Sequence, residues 1–143
     1  MLDIFVRYLH FIGIVVLAAS LLAEFWLVEA RVSRPVFDKL GRIDSFYGIG
    51  ALVTLVAGLT LWWGVGKPAV FYTDNPVFIA KVCIFVVMGA LSVLPTVFFI
   101  KQRNSTGDSI DIPMRILMLI RIQVVLLFCV PLLAVLMARG VGL

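Results

Sequence analysis

The stretch RYLHFIGIVVLAASLLAEFWLVEAR, from Arg7 to Arg31, decides the fold. It is long and apolar enough to cross a bilayer, whose hydrocarbon core needs roughly 20 residues of helix. It also carries the chain's single histidine, His10, near one end and Glu24 near the other. Three further apolar runs follow it, so the sequence predicts four membrane-spanning helices, at about 4–28, 46–65, 77–100 and 113–138.

Composition supports the same conclusion over the whole chain. The protein has 143 residues, of which 63% are hydrophobic and 14% charged, and its mean hydropathy is +1.16. These values exclude a soluble domain of this size. We therefore predict an all-α integral membrane four-helix bundle, with residues 1–143 forming a single domain and the lipid bilayer as its main partner.

The positions of the basic residues predict the orientation. Seven of them lie in or beside the first and third connections: Arg31, Arg34, Lys39, Arg42, Lys101, Arg103 and Arg115. The positive-inside rule then places both termini in the periplasm of a bacterial inner membrane. The net charge of +4 is explained by topology and by contact with anionic headgroups, so nucleic acid is not an expected partner.

Two polar layers are expected at opposite depths. His10 and Lys81 enter from the outer side and should lie about 9 Å and 6 Å deep, given the helical rise per residue. Glu24 and Arg121 should lie about 7 Å and 12 Å from the inner side. Because an unpaired charge inside a bilayer is costly, we predict that Glu24 and Arg121 form a structural ion pair.

Helical periodicity places His10 and Glu24 on the same inward face of the first helix. Lys81 and Met88 share a face of the third helix, so a polar seam between these two helices is expected. Structural roles remain open for each residue: Lys81 can extend to the outer interface, and His10 can make an interhelical hydrogen bond. Asp44, which could also extend the inner layer, is a candidate cap for the second helix, as is Ser45.

A stripe of small residues, Gly50, Thr54 and Gly58, follows four-residue spacing in the second helix. Such a stripe lets a neighbouring helix approach closely. It predicts a packing seam, either within the bundle or across a homodimer.

Four segments carry a resemblance to known families: RYLHFIGI, RIDSFYGIGALVTLVAGL, NPVFIAKVCIF and PLLAVLMARGVGL. Over nearly the whole chain they resemble a family of small bacterial four-helix membrane proteins of unknown function. More distantly, His10 in YLHFIGI and Lys81 in FIAKVCIF resemble the first-helix histidine and third-helix lysine of HemJ-type protoporphyrinogen oxidases.

The second resemblance implies a redox protein that binds heme b and acts on a tetrapyrrole, passing electrons to a quinone or another membrane acceptor. His10 would then be the metal ligand or act near the porphyrin ring, and Lys81 would pair with a propionate. Since the chain has one histidine, a second axial ligand would come from a two-fold partner or from Met88.

Two other classes of function remain open. The chain could be a non-catalytic membrane subunit or assembly factor, as the packing stripe and the lack of room for a soluble domain allow. Alternatively, it could be a small-solute or proton-coupled transporter, because membrane-embedded glutamates such as Glu24 serve as proton and cation sites.

Overall fold

The predicted four membrane helices are present in the computed structural model, which describes residues 1–142. The helices long and apolar enough to span a membrane are α1 (Leu2–Leu27), α2 (Arg34–Thr60), α4 (Pro76–Gln102) and α5 (Met114–Ala138). A π-helical turn, Leu61–Val65, continues α2, and the short helix α3 (Ala69–Thr73) precedes α4. Leu143, the last residue of the predicted domain, lies outside the described residues.

The four long helices form an up-and-down bundle in which sequence neighbours pack side by side. The closest pairs are α1 with α2 and α4 with α5, and α5 returns to pack on α1. Helices α1 and α4 are therefore diagonal, and within residues 1–142 their backbones do not pack against each other. The polar seam expected between these two helices does not form. We call the end that carries both termini the outer end and the opposite one the inner end.

Helix α2 begins twelve residues before the predicted start at Phe46, since it extends back to Arg34. Pro35 lies in its first turn and fits there, because the first turn of a helix does not need that N–H. Neither Asp44 nor Ser45 caps this helix, contrary to prediction. Asp44 instead lies inside it and is buried.

A small antiparallel sheet closes the inner end, although the sequence predicted only helices. Strand β1 (Arg31–Ser33) pairs with β2 (Ser109–Asp111), joining the first and third connections. Arg34 ties the polar segment before β2 to α2: its guanidinium donates to the Ser105 carbonyl at 2.6 Å and also to the Arg103 carbonyl. Together with buried Phe37 and Leu40, this sheet covers the inner end of the bundle.

The small-residue stripe of α2 is used within the bundle. A Cβ atom on Gly50 would lie 2.6 Å from the backbone nitrogen of Leu17, and one on Gly13 would lie 2.6 Å from Oγ1 of Thr54. Two helix backbones approach this closely only where glycine removes the side chain. The stripe is thus the contact surface between α1 and α2.

Candidate functional site

Glu24 lies at the centre of the inner half of the bundle. It occupies the buried face of α1 together with Gly13, Leu17 and Leu21, as its periodicity predicted. Only 2% of its surface is exposed. Its Oε1 atom is buried and accepts no hydrogen bond from any donor within residues 1–142, which is rare because an unsatisfied buried polar atom is costly.

The nearest polar neighbour of Glu24 is a second carboxyl group. The side chains of Glu24 and Asp44 are close enough to interact with each other across the α1–α2 contact. Asp44 is 6% exposed, and its Oδ1 accepts a hydrogen bond from the Thr96 hydroxyl at 3.0 Å. Three of the four membrane helices, α1, α2 and α4, therefore each contribute one polar group here.

The remaining helix, α5, joins through Gln123. The Tyr47 hydroxyl, one turn after Asp44 on α2, donates to Oε1 of Gln123 at 3.0 Å. Both side chains are buried, and Gln123 is 1% exposed. We call the five residues Glu24, Asp44, Tyr47, Thr96 and Gln123 the carboxyl cluster.

The predicted ion pair between Glu24 and Arg121 does not form. No salt bridge involves either residue in the part of the chain that the structure describes, and Arg121 is exposed. The expected depth was suitable but the helical phase was not: α5 turns Ile120 and Gln123 inward. At about 100° per residue, Arg121 faces away from the bundle axis.

An apolar groove of about 240 Å³ opens between α2 and α4 beside the carboxyl cluster. Tyr47 lines it together with Ala51, Leu55, Phe85 and Met88. Tyr47 is thus a shared wall between this lateral groove and the carboxyls. Since the groove runs along the side of the bundle at membrane depth, it faces lipid.

His10, the residue predicted to bind a metal, lies against α2 in the outer half. Its Nδ1 is 2.9 Å from the Thr54 carbonyl oxygen. A carbonyl can only accept, so Nδ1 carries a proton, and in the neutral imidazole Nε2 then keeps its lone pair. A Cβ atom on Gly58 would lie 3.1 Å from the His10 ring, so this glycine makes room for the imidazole.

Lys81 lies near the start of α4, in the same outer half of the bundle as His10. It lines an open cleft at the outer end with Arg7 and Lys67. The outer polar layer is therefore basic and the inner one acidic.

Sequence comparison assigns the chain to a family. The family model described as "Predicted membrane protein (DUF2214)" matches residues 2–142. The chain belongs to that family. No curated protein and no solved structure matches it.

The family description names no activity, ligand or cofactor, and the comparisons give no support to the resemblance to HemJ-type oxidases. The structure does not bring the two predicted heme ligands together either. Met88 is 2% exposed and packs in the inner core near Tyr47, whereas His10 contacts Thr54, about two turns further along α2. A heme ligated by both residues of one chain does not fit this arrangement.

Proposed function

We propose that the protein is a proton-coupled membrane transporter whose carboxyl cluster exchanges a proton for a lipophilic cation. The observation that carries this proposal is the adjacency of Glu24 and Asp44, both buried. Neither carboxyl forms a salt bridge with a basic side chain of residues 1–142. Groups of this kind inside a membrane protein serve as proton and ion sites.

Two adjacent carboxylates need a positive charge between them. A single proton satisfies the pair, because the protonated carboxyl can donate a hydrogen bond to the other. This proton would also give Glu24 a hydrogen-bond partner, which its Oε1 atom otherwise lacks. A cation can replace that proton, since either one neutralises the negative charge of the pair. Alternation between proton and cation is the basis of exchange.

The lateral groove favours a lipophilic cation over a hydrated one. The groove is apolar and faces the bilayer, and Tyr47 separates it from the carboxyls. Phe85 and Tyr47 offer aromatic faces to a cation. The small sheet and the apolar side chains packed against it close the inner end. The cation would therefore enter from the groove at the side of the bundle rather than through the inner end.

The proposal is tested by tetraphenylphosphonium binding to the detergent-purified protein in weakly buffered solution. We expect the bound cation to displace about one proton per protein, since the two occupants compete for one charge. Glu24→Gln and Asp44→Asn should bind without releasing a proton. Arg121→Gln is the matched control, because Arg121 is a membrane-depth charge that faces away from the cluster.

Several results are decisive in this assay. Absence of tetraphenylphosphonium binding, or proton release that persists in Glu24→Gln, would overturn the proposal. Proton release with Na⁺ but not with tetraphenylphosphonium would retain the exchange at the carboxyls and reject the lateral route. In liposomes, the wild-type protein should accumulate the organic cation against an imposed pH gradient, and Glu24→Gln should not.

A tetrapyrrole function is the second candidate, and one observation favours it. His10 donates Nδ1–H to a backbone carbonyl, and this contact leaves Nε2 in the form that binds a metal. Heme b would then be ligated by His10, with Lys81 beside it for a propionate. A Soret band in the purified protein that is lost in His10→Ala supports this function; a colourless folded protein after heme supplementation excludes it.

A further inference from the structure

A second polar site lies at the outer end, remote from the carboxyl cluster. It is an open cleft of about 300 Å³. Three basic side chains from different parts of the fold converge on it: Arg7 from α1, Lys67 from the loop after the π-helical turn, and Lys81 from α4. Phe71 and Tyr72 of α3 complete one wall. Among the described residues, no acidic side chain lines the cleft.

The two lysines are held in place without a carboxylate. The Nζ atom of Lys67 lies 4.0 Å from the centre of the Phe71 ring, and that of Lys81 lies 4.9 Å from the centre of the Phe78 ring. Neither lysine forms a salt bridge within residues 1–142. An aromatic face positions an ammonium group but leaves its N–H donors free.

Arg7 differs from the lysines because it is already paired. Its Nη2 atom is 3.1 Å from Oδ1 of Asp3, one turn earlier on the exposed side of α1. An exposed pair of this kind is weak, and the guanidinium retains further donors. Within residues 1–142, the cleft therefore has two positive charges without an acidic partner and a third that is partly neutralised.

Positive charges that lie close together repel one another, and an anion bound between them removes this repulsion. We propose that this basic cleft is a phosphate-binding site, in which Lys67 and Lys81 donate to the phosphate oxygens and Arg7 adds its charge at the rim. The cleft's size is sufficient for a phosphate group, and its position beside the interfacial aromatic residues puts it at the depth of lipid headgroups. The site is independent of the exchange proposed at the carboxyl cluster.

Two sources can supply this chemical group: the headgroup of an anionic phospholipid, or free phosphate from the aqueous side. Both are tested on the full chain in nanodiscs. Calorimetric titration with inorganic phosphate in phosphatidylcholine discs tests the free ion. Native mass spectrometry of protein from phosphatidylcholine–phosphatidylglycerol discs tests the lipid.

The test variant is Lys67→Gln with Lys81→Gln, and the matched control is Lys39→Gln with Lys101→Gln, which removes two exposed charges at the inner end. We expect the test variant to weaken binding by about tenfold or more, because each lysine makes a charge-assisted hydrogen bond. The control should bind as the wild type does. Replacement of both outer lysines by arginine should restore binding and also exclude misfolding as the cause of the loss.

Binding of inorganic phosphate that is weakened in the outer-lysine variant and unchanged in the inner-end control identifies a site for a free anion. Retention of phosphatidylglycerol with the same variant pattern, and no binding of inorganic phosphate, identifies a lipid site. If the wild-type protein binds neither probe, or if the inner-end control loses as much binding as the test variant, there is no phosphate site in the cleft.

Discussion

The inner and outer halves of the bundle differ in both packing and charge. The inner half contains most of the buried apolar core, in which Leu21, Leu40 and Ile120 are completely buried, and it encloses two carboxyl groups. The outer half is open, and three basic side chains line its cleft. One half thus encloses acidic groups in the core, and the other holds basic groups around an open cleft.

The difference indicates how a four-helix membrane protein of this size can hold two kinds of site. Enclosure of carboxyl groups requires helices that pack closely, which the glycines of α1 and α2 permit. It also requires a cover at the inner end, which the extension of α2 and the β1–β2 pair provide. Convergent basic side chains need neither, because water and lipid headgroups stabilise them.

The largest effect on the free energy of unfolding is expected where the two halves meet along the α1–α2 contact. Gly50→Ala should lower the free energy of unfolding by about 3 kcal/mol, since the added Cβ would meet rigid backbone of α1. Gly58→Ala, further toward the outer end, should cost under about 1 kcal/mol because the imidazole of His10 can move aside.

Gly48→Ala is the control for both substitutions, since nothing lies within 4 Å of its added Cβ. It should be neutral or slightly stabilising, as alanine favours the helix. Unfolding titrations in mixed micelles measure all three variants. Equal losses for Gly50→Ala and Gly58→Ala would contradict the contrast in packing between the halves.

The carboxyl cluster gives the next largest effect. Glu24→Ala should lower the free energy of unfolding by about 2 kcal/mol, because it leaves Asp44 and its neighbours partly unsatisfied in the core. Glu24→Gln should cost less, since the amide can still donate to Asp44.

Arg121→Gln serves as the control and should change the free energy of unfolding by less than about 0.5 kcal/mol, as an exposed side chain does. The same micelle titrations apply. If Arg121→Gln lost as much stability as Glu24→Ala, and the double variant recovered it, the result would show that the ion pair expected from sequence does form.

The smallest effect is expected at His10 in the outer half. His10→Ala removes one interhelical hydrogen bond to the Thr54 carbonyl and should cost about 0.6 kcal/mol, the average for such bonds in membrane bundles. The measurement is again unfolding in mixed micelles. A loss of several kcal/mol would mean that His10 supports more of the outer half than this contact.

The sequence was sufficient to predict the four helices and the inward face of α1. Each hydrophobic segment was long enough to identify by itself, and His10, Gly13, Leu17 and Glu24 recur at helical spacing. Asn75 caps α4, since its Oδ1 accepts from the Val77 N–H at 2.9 Å, and asparagine followed by proline is a local signal for a helix start. These features depend on local sequence, so local patterns predict them.

The composition of the carboxyl cluster could not be predicted in the same way. Asp44 precedes the apolar part of α2, so the change in hydropathy suggested a helix start there, whereas the helix continues to Arg34 through polar residues. In α5, which is apolar on nearly every side, no amphipathic pattern showed that Gln123 rather than Arg121 faces inward. A signal for Gln123 was its position as an isolated amide among apolar residues.

The central claim is that Glu24 and Asp44 are enclosed together in the inner half and share one proton. Infrared spectroscopy of the reconstituted protein at neutral pH tests it most directly. We predict the carbonyl stretch of a protonated carboxyl that shifts on transfer to D₂O and is lost or displaced in Glu24→Gln and Asp44→Asn, but not in Arg121→Gln. A wild-type spectrum without this band, or a band that neither substitution at the pair alters, would contradict the claim.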